Sequence, residues 1–238
     1  MDSIYPWQQT KWIEVTKRIE EDTLPHALLV SGSSGIGKKN FSLAVVQNIL
    51  CETCKGKSTA CGTCKSCLLI TGETHPDLKI IEPSGKSETI GVDQIRELTN
   101  YVTLTPHIGQ YKIALIHDAE KMNTNAANSL LKSLEEPPKS SIIILVSSRP
   151  NTLIPTIRSR CQLLSLPIPA KDIAIEWLTS KVKNEFDSEL LLALAQGAPL
   201  LAFTFSQENV LQNRLEQFRQ FNALSQQKGD PEIGRAHV

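Results

Sequence analysis

Val30-Ser31-Gly32-Ser33-Ser34-Gly35-Ile36-Gly37-Lys38-Lys39 is the stretch that decides the fold. Upstream, Pro25 to Val30 reads as a short buried strand. Downstream, Asn40 to Leu50 carries a helical apolar pattern, with Phe41, Ala44, Val45, Ile49 and Leu50 as its packed positions. Gly32, four intervening residues, Gly37 and Lys38 match a phosphate-binding loop placed between strand and helix. Gly32, Gly35 and Gly37 let consecutive backbone N–H groups curl around phosphate oxygens at the positive end of the helix, and Lys38 reaches the outer phosphates. The next position calls for Ser or Thr, whose hydroxyl holds Mg²⁺. Lys39 stands there instead, with no lone pair to offer and a positive charge of its own.

Working outward, an amphipathic helix is expected from Trp7 to Asp22, with Trp7, Trp12, Val15 and Ile19 on its apolar side. Further strands are expected at Leu78–Ile81, Ile113–Ile116, Ile142–Val146 and Gln162–Leu166, with helices at Val92–Thr103 and Asn123–Glu136, the latter stopped by Pro137-Pro138. Strands alternating with helices indicate an α/β fold, a parallel sheet with helices on both faces, over residues 1–166. Pro167 and Pro169 mark a boundary, beyond which the pattern is purely helical: Lys171–Lys183, Ser188–Gln196 and Pro199 onward, giving a small helical domain over 167–206. Glu208 to Gln227 reads as a third helical piece with no partner in the chain, so 207–231 is expected to begin a truncated helical domain. The tail 232–238 back-translates readily to GAG-ATC-GGA-AGA-GCA-CAC-GTC, which resembles a sequencing-adapter read, so the natural sequence is expected to end near Pro231.

The chain has 238 residues, 40% hydrophobic and 21% charged, enough for one large or two small domains. Lysine plus arginine equals aspartate plus glutamate at 25 each, so bulk charge does not point to a nucleic-acid coat protein, although a local basic patch is compatible with it. No apolar run approaches the ~18–20 residues of a membrane span, and Met1 to Pro6 lacks a signal-peptide pattern, so a cytoplasmic location is expected.

Six cysteines in such a chain favour metal over disulfides, and five of them fall within residues 51–67: Cys51, Cys54, Cys61, Cys64 and Cys67. A tetrahedral Zn²⁺ takes four thiolates at ~2.3 Å, and Cys-x-x-Cys spacing supplies two from one tight knuckle. Cys61, Cys64 and Cys67 are the expected ligands, and the fourth is Cys51 or Cys54. With no open coordination position the zinc would be structural, stapling an insertion between the loop helix and the second strand. Reduced, unliganded cysteines are the plain alternative.

After the strand Ile113–Ile116 come His117-Asp118-Ala119-Glu120, not the Asp-Glu pair of a working P-loop ATPase. The run Leu115 to Met122, then Asn128-x-Leu130-Leu131-Lys132-x-Leu134-Glu135-Glu136-Pro137-Pro138, then Ser159-Arg160-Cys161, resembles the bacterial clamp-loader family of AAA+ proteins. The resemblance spans roughly residues 5 to 205 and includes Leu24 to Leu29 and Thr74-His75-Pro76-Asp77. It implies an AAA+ P-loop domain with a zinc-module insertion, followed by a helical lid. It also implies a subunit of a DNA polymerase III clamp loader, assembled with gamma/tau and delta subunits and acting through that complex on a sliding clamp and primer-template DNA.

Aligned with the family's hydrolysing gamma/tau subunits, the metal-binding Asp falls on His117 and the catalytic Glu on Asp118, while Leu200 stands where a second sensor arginine belongs. With Lys39, these departures imply that ATP is either unbound or held without hydrolysis by Gly32, Gly35, Gly37 and Lys38. Arg160, with Arg158 as second choice, would project as an arginine finger into a neighbouring gamma/tau ATP site. The alternatives are a hydrolysing gamma/tau-type subunit, which Lys39, His117 and Leu200 disfavour, and a zinc-dependent DNA-binding module, which the neutral charge disfavours. Cys161, Trp7, Trp12 and Trp177 are expected to pack, His75 to occupy a turn, and Ser147-Ser148 to hydrogen-bond locally.

Overall fold

Three strands have no exposed position: β1 (Ala27–Ser31), β3 (Lys112–Ile116) and β4 (Ser141–Ser147) are buried at every residue. Such continuous apolar runs require cover on both faces of a parallel sheet. The computed structural model of the chain describes residues 4–54, 56–57, 59–84, 88–182 and 187–208, with positions 217 and 219. Its sheet is parallel throughout, with β2 (Leu78–Ile81) and β5 (Gln162–Ser165) at the edges, in the order β2-β3-β4-β1-β5. Register pairs Leu29 with Leu145 and with Leu163, and Ala114 with Ile143.

Alternate residues of the central strands face one helical layer. Ala27, Leu29, Ala114, Ile116, Ile143 and Leu145 pack with Ile95 and Leu98 of α4 (Val92–Val102), Leu130 and Leu134 of α5 (Thr124–Glu135) and Ile157 of α6 (Pro155–Arg160). The intervening residues point the other way. There α2 (Lys38–Leu50) contacts β1 and β4, and Phe41 of α2 meets Trp12 of α1 (Gln9–Glu20) edge-on at 6.0 Å. Between α2 and β2 lies α3 (Lys65–Thr71), inside the cysteine-rich insertion.

The chain divides into two units, the first ending at Ile173. In the second, α7 (Lys171–Lys181) from Ala174 onward, α8 (Ser188–Leu194) and α9 (Pro199–Gln207) share a small core of Leu178, Leu191, Leu192 and Ala202, and Trp177 meets Phe203 edge-on. The expected helix beyond Glu208 and the tail at 232–238 lie outside the described residues, positions 217 and 219 apart. The short helices α3 and α6 are additional to the pattern read from sequence. Neither is long enough to show helical periodicity, but Cys64 caps the first and Pro155 opens the second.

A buried ion pair fixes how β2 and β3 begin. Asp77 and Lys112 lie 3.1 Å apart, their side chains 0% and 1% exposed. The Asp77 carboxylate accepts the backbone N–H groups of His107, Ile108 and Gly109 at 2.7, 2.7 and 3.0 Å, so it also shapes the loop entering β3. Lys112 donates to the Pro76 carbonyl and sits 4.5 Å from the Tyr101 ring centre. Burial alone would raise the Asp77 carboxyl, but the backbone donors and Lys112 outweigh it and hold the group down at about 2.

Replacing Asp77 by Asn leaves the Lys112 ammonium buried without a counter-charge, and urea titration at neutral pH should show a loss of about 3–5 kcal/mol. The sign with pH is also fixed. The folded-state value is depressed below the unfolded ~3.9, so the stabilisation is complete above about pH 4 and fades as pH falls toward 2. An Asp77→Asn variant with an unchanged acid limb in its stability curve would overturn this account.

Candidate functional site

The phosphate loop leaves the carboxyl end of β1, the edge at which open α/β sheets bind ligands. Two of its glycines are required by space. A Cβ on Gly32 would lie 2.6 Å from the Leu166 carbonyl oxygen, and one on Gly37, at φ 86°, would lie 2.6 Å from the Tyr5 ring. The N-terminal turn pins the loop from behind. Trp7 donates its indole N–H to the Ile36 carbonyl, and the Gln8 amide donates to the carbonyls of Ile36 and Gly37. Tyr5 stacks on Trp7 with ring centres 4.9 Å apart. Trp7 and Gln8 are thus positioning residues for the loop as well as packing residues.

Both loop lysines are satisfied from within the chain. Lys38, almost fully buried, donates its Nζ to the Ser33 carbonyl at 2.7 Å. Burial lowers its pKa, while the nearby Glu120 and Asp118 oppose that shift. Lys39 Nζ lies 3.3 Å from Asp118 Oδ2 and 3.4 Å from Glu82 Oε1. Asp118 turns out of β3 in the left-handed region at φ 48°, a conformation Asp tolerates better than most residues. An ammonium therefore stands between the carboxylates at the ends of β2 and β3, where a hydrolysing site needs a hydroxyl and a divalent cation. The residues present do not fit Mg²⁺.

His117 is buried, with Nε2 4.0 Å from Glu82 Oε1 and Nδ1 lacking a hydrogen-bond partner among the described residues. Burial and the Lys39 charge lower its pKa, which favours a neutral ring. Glu120 accepts the backbone N–H of Ser148 through Oε1, and its Oε2 is buried without a partner among the described residues. Ser147 accepts the Arg149 N–H, so the end of β4 is occupied locally. Glu82 does not stand out in the sequence, and Glu120 appears there only within the altered turn after β3. The signal is nonetheless there, since each follows the carboxyl end of a strand beside the loop.

The cysteine-rich insertion forms a second site. The Sγ atoms of Cys51, Cys61, Cys64 and Cys67 all lie within 4.8 Å of one another, whereas Cys54 is not part of the group. Cys61 and Cys67 are 3.9 Å apart, close to the ~3.8 Å between thiolates on a tetrahedral Zn²⁺. Backbone N–H groups aim at the sulfurs: Cys61 at Cys51, Cys64 at Cys61, and Cys67 at Cys64, at 3.5, 3.3 and 3.5 Å. The Thr53 hydroxyl, with the backbone N–H groups of Thr63 and Cys64, pulls the Cys61 thiol down to about 5, while burial raises Cys67. The donor set fits a metal that takes thiolates, and is compatible with zinc.

The insertion is tied to the sheet by His75. Its Nε2 pairs with the Ser66 hydroxyl on α3 at 3.2 Å, and its Nδ1 accepts the Asp77 N–H at 3.0 Å. His75 is buried, and its carbonyl accepts the Leu78 N–H at 3.2 Å, so it opens the turn into β2 as expected and also links the insertion to the sheet.

Arg160 ends α6, away from the loop in sequence. Its Nη2 lies 2.6 Å from Glu135 Oε1, and its Nη1 donates to the Thr156 carbonyl at 3.0 Å. Arg158 pairs with Asn151. Cys161 is buried with the residues under α5 and α6. Leu200 lies in the first turn of α9, half-buried in the second unit.

A parallel sheet in this order, with a glycine loop between β1 and α2, defines an AAA+-type P-loop domain. The sequence profile described as "DNA polymerase III, delta subunit" matches residues 7–170. The DNA polymerase III subunit delta' of Pseudomonas aeruginosa is 39% identical over 218 residues, covering 91% of this chain and 65% of that protein. The subunit of the same name from Haemophilus influenzae is 37% identical over 224 residues, covering 93% and 67%. Among solved structures, a DNA polymerase III gamma subunit-related protein from Thermotoga maritima superposes with a TM-score of 0.56 at 25% identity, covering 83% of this chain and 59% of that one. The chain belongs to the family of DNA polymerase III delta' subunits, and spans about two thirds of the length of the curated relatives it matches.

The cysteine geometry makes a direct prediction. Cys51→Ser should lower bound zinc, measured by elemental analysis of the purified chain, well below one per chain, while Cys54→Ser should leave it unchanged. Retention by the first variant with loss by the second would reverse the ligand assignment.

Proposed function

We propose that this chain is a non-hydrolysing subunit of the DNA polymerase III clamp loader, helping to place a sliding clamp on primed DNA. Its partners are gamma/tau and delta subunits, and it reaches clamp and primer-template through the complex in the cytoplasm. Support for the lost hydrolysis comes chiefly from Lys39, whose ammonium is already paired with Asp118 and Glu82. Phosphoryl transfer depends on a divalent cation and preorganised charge around the leaving phosphate. Lys39 displaces the cation, His117 removes one carboxylate, and Leu200 supplies no guanidinium. Gly32, Gly35, Gly37 and Lys38 keep the shape of a phosphate cradle, so any nucleotide they hold is held without Mg²⁺.

Zinc at Cys51, Cys61, Cys64 and Cys67 would be structural, since four protein ligands leave no open position. Its contribution is to fold the insertion that α3 and His75 attach to β2.

Arg160 takes the active role, as an arginine finger directed at a neighbouring gamma/tau nucleotide. The purified chain alone should show no Mg²⁺-dependent ATP turnover above background in a coupled assay; clear turnover would end the non-hydrolysing proposal. In a complex assembled from the full-length subunit with its partners, Arg160→Ala should leave assembly intact. Hydrolysis at the affected site should fall by on the order of 10³-fold, the lower range for a finger supplied in trans. Unchanged complex ATPase would remove the finger role.

A further inference from the structure

Glu135 is the last residue of α5, and Glu136-Pro137-Pro138 prevents the helix from continuing. A carboxylate at this end meets the negative pole of the helix and costs stability unless a cation offsets it. The cation is Arg160. The pair is short, 2.6 Å, although the two side chains remain 34% and 46% exposed. A pair so exposed contributes little to folding. Its geometric effect is larger than its energetic one.

The guanidinium is held at two points. Glu135 takes Nη2, and the carbonyl of Thr156, one turn back on α6, takes Nη1 at 3.0 Å. The Ser159 hydroxyl lies 3.4 Å from Nη1. Two anchors from different helices fix the plane of a group that otherwise swings on several rotatable bonds. An arginine has five N–H donors; the Glu135, Thr156 and Ser159 contacts take three, leaving Nε and one Nη2 proton to address a second anion. Arg158, two residues earlier, is anchored to the neutral Asn151, with no carboxylate in ion-pair reach among the described residues.

We propose that Glu135 is a positioning residue for Arg160, holding the guanidinium preformed at the subunit surface so that an incoming phosphate meets a fixed fork rather than a mobile chain. The proposal rests on the arginine-finger role proposed above. The helix-ending Pro137-Pro138 gives it a physical basis: it stops α5 where its last carboxylate reaches across to α6. Preorganised donors act in the transition state without reorganising, so the loss should appear in kcat rather than in KM.

The test is a double-mutant cycle in the complex assembled from full-length subunits, reading steady-state ATPase with clamp and primed DNA. Glu135→Gln keeps size and removes charge; it should lower kcat about three- to tenfold, with KM for ATP within about twofold, as expected when a positioned charge is loosened rather than removed. Glu135→Asp should restore part of the rate. Combined with Arg160→Ala, Glu135→Gln should cost nothing further, because its effect passes through the guanidinium. If Arg160→Ala lowers the rate while Glu135→Gln matches or exceeds wild type, Glu135 does not position the finger. An equal loss from Glu135→Gln in both backgrounds makes it structural and also overturns the proposal. If Arg160→Ala itself has no effect, the finger role fails first, which separates the two failures.

Discussion

The ammonium of Lys39, held between Asp118 and Glu82, joins the first turn of α2 to the carboxyl ends of β2 and β3. That is the place where a P-loop fold concentrates ligand charge, because strand ends, loop and helix N-terminus converge there. A hydrolysing protein leaves this junction open and lets a hydrated cation and a nucleotide complete it. In this chain the Lys39 ammonium, on a side chain about half exposed, stands at that junction. The same internal pairing extends to Lys38, which folds onto the Ser33 carbonyl, and to Glu120, which secures the Ser148 N–H at the end of β4. The loop's geometry is thus braced by the chain's own side chains.

The order of the strands explains how tightly this loop is held. β1 lies between β4 and β5, so the loop that leaves it is closely packed. Gly32 lies against the Leu166 carbonyl, Gly37 against Tyr5, and the carbonyls of Ile36 and Gly37 serve as acceptors for Trp7 and Gln8. Altering the glycines would break the join between the N-terminal turn and the sheet. The loop is thus a packing element of the fold as well as a candidate phosphate cradle.

Much of this architecture is legible in the chain itself. Continuous runs such as Ile113–Ile116 and Ile142–Val146 admit few settings other than a covered parallel strand, and the glycine loop dictates a helix after the first strand. The four-thiol site is legible except for one choice, because spacing alone does not separate Cys51 from Cys54; the convergence of Sγ atoms does. Short helices and long-range pairings are not legible. Asp77 with Lys112, His75 with Ser66, and Glu135 with Arg160 are meetings that depend on how the elements pack, and no local periodicity encodes them. Glu82 is hidden for the same reason, since its role depends on which strand lies beside β3.

The two arginines of α6 show how neighbouring positions on one short helix meet different partners. Arg158 and Arg160 differ by two positions on one short helix, so they leave α6 in different directions. Arg160 is the one that reaches the carboxylate that Pro137-Pro138 strands at the end of α5. A positive group anchored by an acid from a second helix is stiffer than one on a single turn, and stiffness is the property that the proposed trans-acting role requires. In the nucleotide pocket the chain's charges neutralise one another. At α6 one carboxylate and one carbonyl orient the guanidinium without exhausting its donors, and the proposed finger role draws on that residual hydrogen-bonding capacity.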